Sequence, residues 1–241
     1  LLQDAEADLR DAKICTTPQG QLMLTGGAAL HDKSQHTHQT LLWLTDDPSS
    51  WGPAKPIGDP NFWIWRVTWQ NNTAWGAAYD CRLGKAERLY KSTDGLNFDM
   101  VKKLRSRQFP NEASICFVGD TMYCLVRRDW KTATGLIGQS RPPYTRWKWK
   151  NLGIRIGGPN LIALPDGRLL TAVRLYDNKV RTALCYLDFR KGKLTECLAL
   201  PSGGDTSYAG MVLQGSTIWI SYHSSHGQDK KTAIYLATVK L

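Results

Sequence analysis

The chain has 241 residues, of which 42% are hydrophobic and 22% charged. That balance excludes a disordered or collagen-like chain, and no apolar run reaches the ~18 residues of a membrane-spanning helix, so membrane insertion is not expected. Lys plus Arg is 31 against 21 for Asp plus Glu, a net charge of +10 that favours anionic partners.

The chain opens at Leu1-Leu2 without a Met or an apolar signal segment. A removed leader, or a start upstream, is therefore expected. Five segments then share one layout: a short apolar strand, a polar turn and a second apolar strand. They are DLRDAKICTTPQGQLMLTGG (8–27), WIWRVTWQNNTAWGAAYD (63–80), PNEASICFVGDTMYCLVRRD (110–129), GGPNLIALPDGRLLTAVRLYD (157–177) and DTSYAGMVLQGSTIWISYHSS (205–225). The anchors Asp11, Arg66, Glu112, Asn160 and Tyr208 step by 55, 46, 48 and 48 residues. PDG and NN are turn chemistry, and their flanks are β-formers.

Between the hairpins lie further alternating runs: TLLWLT, ERLYKST, GLIGQS, TALCYLDF and TAIYLATV. Each repeat thus reads as about four strands. Four strands in 40–50 residues is the signature of a β-propeller, so the fold is expected to be all-β, with five blades in one domain over 1–241. A β-sandwich fits the regular period less well. The last repeat ends after its third strand. Its fourth strand is expected from the N-terminus, although residues 1–7 are short for that.

The two innermost strands of a blade form an antiparallel hairpin, so the start of one and the end of the other share an end of the blade. The starts supply Arg10, Asp11, Trp65, Arg66, Glu112, Asn160, Asp205 and Tyr208. The ends supply Arg127, Arg174, Tyr222 and His223. The turns at the opposite ends carry almost no charge. Charge at strand ends is often only solvated rim, a reading that suits Asp80, Arg128 and Asp177. Asp11, Glu112 and Tyr208 each precede an apolar run directly and are expected to project toward the axis.

The six cysteines, Cys15, Cys81, Cys116, Cys124, Cys185 and Cys197, include no CxxC pair. A zinc site is not expected, and the thiols read as small buried hydrophobes. His31, His36 and His38 lie in one polar loop, and His223 and His226 in another. These read as hydrogen-bonding or substrate-contacting residues, with no metal and no cofactor expected. Spread charge without helix-turn-helix or finger spacing argues against a nucleic-acid partner.

Three turns carry a resemblance. Ser92-Thr93-Asp94-Gly95-Leu96-Asn97-Phe98 resembles the Asp-box (bacterial neuraminidase repeat) with one residue deleted. Thr45-Asp46-Asp47-Pro48-Ser49-Ser50-Trp51 resembles it more loosely, and Ser140 to Trp147 keeps only the ends. On these turns and the repeat layout, the chain resembles the sialidase superfamily. GGPNLIALPDGR, LPSGGDTSY and SYHSSHG are similar to single-domain proteins labelled exo-sialidase. The resemblance implies a glycoside hydrolase acting on an acidic sugar, with a carboxylate held by arginines from separate blades. Arg66, Arg127 and Arg174 fill that role, with Arg10 as a spare. It implies a Tyr208 nucleophile paired with Glu112, and Asp11 as acid/base. Two departures stand out: five blades where sialidases typically have six, and LRDAKI where an FRIP-type arginine motif would stand.

Five-bladed glycosidases of the arabinanase type give a second comparison, with Asp11 and Glu112 as their carboxylate pair. Arg66 stands where their second-blade Asp would be. A noncatalytic carbohydrate-binding propeller would keep Trp65, Asn160, Asp205, Tyr222, His223 and the arginines as contacts. The favoured location is secreted or periplasmic.

Overall fold

The computed structural model describes residues 2–104, 108–131 and 133–241. Among them every regular element is a strand, as the alternating apolar pattern and closely spaced turns dictate. The strands form five antiparallel sheets in the sequential order of a five-bladed β-propeller. Two compact units contain them, Leu1–Asn111 and Glu112–Leu241.

The first unit holds two blades. Blade one is β1 (Ala7–Thr16), β2 (Leu22–Leu30), β3 (His38–Thr45) and β4 (Lys55–Ile57). Blade two is β5 (Phe62–Gln70), β6 (Thr73–Asp80), β7 (Glu87–Ser92) and β8 (Asp99–Leu104). Met23 and Leu42 of the former pack with Ile64, Val67 and Tyr90 of the latter in one core.

The second unit holds three. Blade three is β9 (Pro110–Val118), β10 (Thr121–Arg128), β11 (Leu136–Ser140) and β12 (Trp147–Asn151). Blade four is β13 (Ile156–Ala163), β14 (Leu169–Leu175), β15 (Arg181–Asp188) and β16 (Lys193–Ala199). Blade five has three strands, β17 (Thr206–Gln214), β18 (Thr217–Ser224) and β19 (Ala233–Lys240). One face of blade four meets Cys116, Leu125 and Ile137. Its other face meets Ala209, Ile218, Ile220 and Tyr222.

The expected fourth strand of the last repeat is not supplied by the N-terminus. Among the described residues β19 is the sheet edge, and Leu2 packs instead against the Ala7, Ala28, Leu41 and Trp43 cluster of blade one. That cluster gives Leu2 an apolar partner of its own.

Four of the inner strands, β1, β5, β13 and β17, carry a bulge. In β1, Asp11 and Ala12 together oppose Gly26. In β13, Gly158 and Pro159 oppose Val173, and in β17, Tyr208 and Ala209 oppose Tyr222. In β5, Trp65 is the extra residue. The first residue of three of these bulges is left-handed: Asp11 at φ 54°, Gly158 at 52° and Tyr208 at 53°. A bulge re-aims the side chains around it, and a left-handed non-glycine residue must be held by its surroundings.

The turns between third and fourth strands are closed by side chains. Asp94 Oδ1 accepts the Leu96 and Asn97 amides at 2.8 Å, and Ser92 Oγ accepts that of Gly95 at 2.9 Å. Thr45 Oγ1 donates to the Ser50 carbonyl, and Ser140 Oγ to that of Arg146, both at 2.6 Å. These are Asx- and ST-turn contacts, which set the fold and leave chemistry to other residues.

Candidate active site

The second unit gathers a polar cluster at the strand ends of blades three, four and five. Glu112 lies at the start of β9 with its side chain 6% exposed. Three donors converge on its carboxylate. Tyr208 Oη donates to Oε1 at 2.8 Å, Arg127 Nη1 to the same oxygen at 2.5 Å, and the Gly158 amide to Oε2 at 2.8 Å. An ionised carboxylate is acceptor-only, so this donor set suits it. Glu112 and Tyr208 are 96 residues apart in sequence.

Arg127 also donates through Nη2 to Asp129 Oδ2 at 3.1 Å. Burial pulls its pKa down, but the charges of Glu112 and Asp129, with the phenols of Tyr176 and Tyr208, outweigh that and hold the guanidinium above its ordinary value. Both terminal nitrogens of Arg127 are thus engaged by the protein's own carboxylates.

Arg174 donates from Nε to the Thr206 carbonyl at 2.5 Å and stands 3.5 Å from Asp205 Oδ1. Its guanidinium lies 5.8 Å from the centre of the Tyr208 ring. His223 Nε2 sits 3.2 Å from the same Asp205 oxygen, and its ring is 5.5 Å from that of Tyr208. Glu112, Tyr208, Arg127, Arg174, Asp205 and His223 therefore share one neighbourhood.

Three predicted contact residues serve the fold. Trp65 is 2% exposed, with rings of Trp63 and Tyr79 beside it and Lys13 Nζ 4.3 Å above it. Asn160 is buried and donates to the Ala209 carbonyl at 3.1 Å, tying blade four to blade five. Tyr222 is buried in the core between those blades, its hydroxyl on the Pro201 carbonyl at 3.0 Å. All three side chains are buried, at 2%, 6% and 3% exposed.

In the first unit, Asp11 is half-buried at its bulge, and its carbonyl accepts from Lys13 Nζ at 2.9 Å. Arg10 is exposed and faces Asp8 at 3.3 Å, while Arg66 is half-buried beside the bulge of β5. Burial, with Arg10 and Lys33 nearby, holds His38 below its ordinary value.

Sequence reasoning missed two participants, Gly158 and Arg155. Gly158 supplies an amide to Glu112, and the GGP run two residues before the chosen Asn160 anchor is its signal. Asp129 bridges Arg127 and Arg155, the latter at 3.4 Å. Arg155 stacks over Tyr176 at 4.3 Å. It lies in a loop outside the repeated hairpins, where no periodicity marks it. Among the described residues no group of three or more His, Cys, Asp or Glu is arranged to hold a metal.

No family model matches the sequence, and no curated protein matches it. Solved structures do. A protein of unknown function from Dyadobacter fermentans DSM 18053 superposes with a TM-score of 0.82 at 15% identity, over 99% of this chain and 78% of that one. The Hadza microbial sialidase Hz136 follows at a TM-score of 0.73 and 16% identity, over 98% of this chain. The chain spans about half the length of that sialidase, 53%. A GH43_1 enzyme from Xanthomonas citri gives a TM-score of 0.60 at 11% identity, over 96% of this chain and 87% of that one. At these identities the likeness is one of fold: the chain shares the β-propeller architecture of these structures.

Proposed function

We propose that the protein is a glycoside hydrolase acting on an acidic sugar, with Tyr208 as nucleophile and Glu112 as its base. The observation that carries this reading is the 2.8 Å hydrogen bond from Tyr208 Oη to Glu112 Oε1. A neutral phenol is a weak nucleophile, and an adjacent carboxylate that accepts its proton activates it. In the first step that proton moves to Glu112 as Oη bonds to the anomeric carbon. The aglycone oxygen takes a proton from the acid/base as its bond to the anomeric carbon breaks, and the aglycone leaves as an alcohol. Water then cleaves the tyrosyl glycoside: its hydroxyl joins the anomeric carbon, its proton returns to the acid/base, and Glu112 gives its proton back to the phenol. A tyrosine nucleophile is a recognised exception to the usual pair of carboxylates.

Arg174, partly exposed at 20%, is the proposed fork for a substrate carboxylate, in the planar geometry that guanidinium groups match. Arg10 and Arg66 remain proposals from the repeat pattern. Arg127, with both ends engaged, holds Glu112 in place. The family resemblance implies Asp11 as the acid that protonates the leaving group, and Asp11→Asn tests that role separately.

The test is a panel of aryl glycosides, including sialosides, glucuronides and arabinofuranosides, given to the wild type, Tyr208→Phe and Glu112→Gln. Turnover of an acidic member that both substitutions abolish supports the reading. Turnover of arabinofuranosides that Tyr208→Phe leaves intact selects the carboxylate-pair alternative. Binding of free sugars without turnover of any glycoside selects a noncatalytic carbohydrate-binding propeller.

A further inference from the structure

Tyr208 is a large side chain on a backbone that disfavours it. Its φ of 53° is a left-handed conformation that non-glycine residues adopt only when neighbours over-determine it. Two groups flank its ring, the His223 imidazole at 5.5 Å and the Arg174 guanidinium at 5.8 Å. Both reach Asp205: His223 at 3.2 Å and Arg174 at 3.5 Å, each on Oδ1. The other oxygen of Asp205 stands 3.5 Å from Thr232 Oγ1. The Asp205 backbone is itself pinned, its amide to Ser225 Oγ at 3.3 Å and its carbonyl to the Ser225 amide at 3.0 Å.

We propose that Asp205 is a positioning residue for Tyr208. It ties down the two neighbours of the ring and, through them, keeps the phenol aimed at Glu112. The sequence pattern assigns Asp205 and His223 as substrate contacts; in the structure they also contact each other. The His223 side chain is 14% exposed, so it acts as a wall of the site. Asp205 is 59% exposed, so substituting it leaves the core intact. The inference rests on Tyr208 being the reacting group.

The experiment uses Asp205→Ala and Asp205→Asn with two readouts. The first is the carbon-13 signal of Tyr208 Cζ in tyrosine-labelled protein, assigned by its loss in Tyr208→Phe. It reports the hydrogen bond to Glu112 without any substrate. Asp205→Ala is expected to move this signal most of the way to its position in Glu112→Ala, where that bond is gone. Asp205→Asn keeps an oxygen for His223 and is expected to restore most of the wild-type position. The second readout is kinetics on the turned-over glycoside. Asp205→Ala is expected to lower kcat by about tenfold to a hundredfold, the pattern of a misaimed reacting group, with a smaller rise in KM because Asp205 also holds Arg174. An unchanged Tyr208 signal overturns the proposal, as does a raised KM at constant kcat, which would make Asp205 a substrate contact. If no glycoside is turned over, the proposed function fails, while the Tyr208 signal still decides whether Asp205 positions the ring.

Discussion

Glu112 Oε2 accepts the backbone amide of Gly158 across two blades, while Oε1 serves Tyr208 and Arg127. Glycine is required at 158 for two reasons. Its φ is 52°, and a Cβ there would stand 2.2 Å from Ser207 Oγ and 2.9 Å from the Tyr208 amide nitrogen. Gly158→Ala must therefore push the β17 bulge away or give up the bond to Glu112. Expected are a loss of about 1–3 kcal/mol in unfolding free energy and a larger relative loss of activity, since the displaced residues carry Tyr208. Urea melts alongside initial rates check this. Wild-type activity in the alanine variant would show that the bulge tolerates displacement.

The three donors on Glu112 also make a stability prediction. Its side chain and that of Arg127 are 6% and 16% exposed. Removing one member of a buried pair strands the other charge, so Glu112→Ala is expected to cost about 3 kcal/mol or more. Glu112→Gln keeps the shape but turns one acceptor into a donor. With its oxygen toward Tyr208 and Arg127, its NH2 faces the Gly158 N–H, an unmade contact worth about 1–3 kcal/mol. The order wild type, Gln, Ala in denaturant midpoint is the expected result. An alanine variant as stable as wild type would mean that the cluster is held by packing alone.

The blades were legible in the sequence because the signals that make them are local. Alternation of apolar residues with Asn, Gly and Asp turns fixed four of the five sheets at four strands each. The polar clustering at one end of the hairpins was legible too, and it brought Glu112, Tyr208, Arg127 and Arg174 forward. What failed was the offset in blade four. A bulge shifts the register by one residue, so Asn160 was paired with Tyr208 when Gly158 is its counterpart. Burial failed likewise: Trp65 and Tyr222 look the same in sequence whether they line a pocket or fill a seam between sheets. Arg155 stacks on Tyr176 from a loop, and loops carry no period to read.

The turn at Asp94 predicts a pH effect. Hydrogen bonds from the Asn97 amide and side chain, the Leu96 amide and Ser92 hold its carboxyl well below the ordinary value of 3.8. A carboxyl depressed in the folded state adds stability above its unfolded pKa. That contribution is lost as pH falls through the folded value. The gap in Tm between the wild type and Asp94→Ala is therefore expected to be full at neutral pH and to narrow only below about pH 4. Thermal melts from pH 7 to pH 2.5 test it. A gap that closes already between pH 7 and pH 5 would place the titration on another group.

Among the described residues, blade five exposes apolar side chains on one face and has β19 as its sheet edge. Val212 pairs directly with Trp219, and Leu236 and Ile234 follow on the same face opposite Ser221 and His223. They are 65%, 41%, 67% and 77% exposed. On β19 the only charge between Ala233 and Lys240 is Lys240 itself, so little guards the edge against pairing with other chains. Aggregation that rises with protein concentration and involves β19 is the expected consequence. Leu236→Lys puts a charge in the middle of the exposed face, where it displaces no buried neighbour. It is expected to suppress light scattering on concentration while changing unfolding free energy by no more than about 0.5 kcal/mol. A loss of about 2 kcal/mol or more instead would show that Leu236 is covered in solution, since burial of that side chain is worth that much and an exposed one is not.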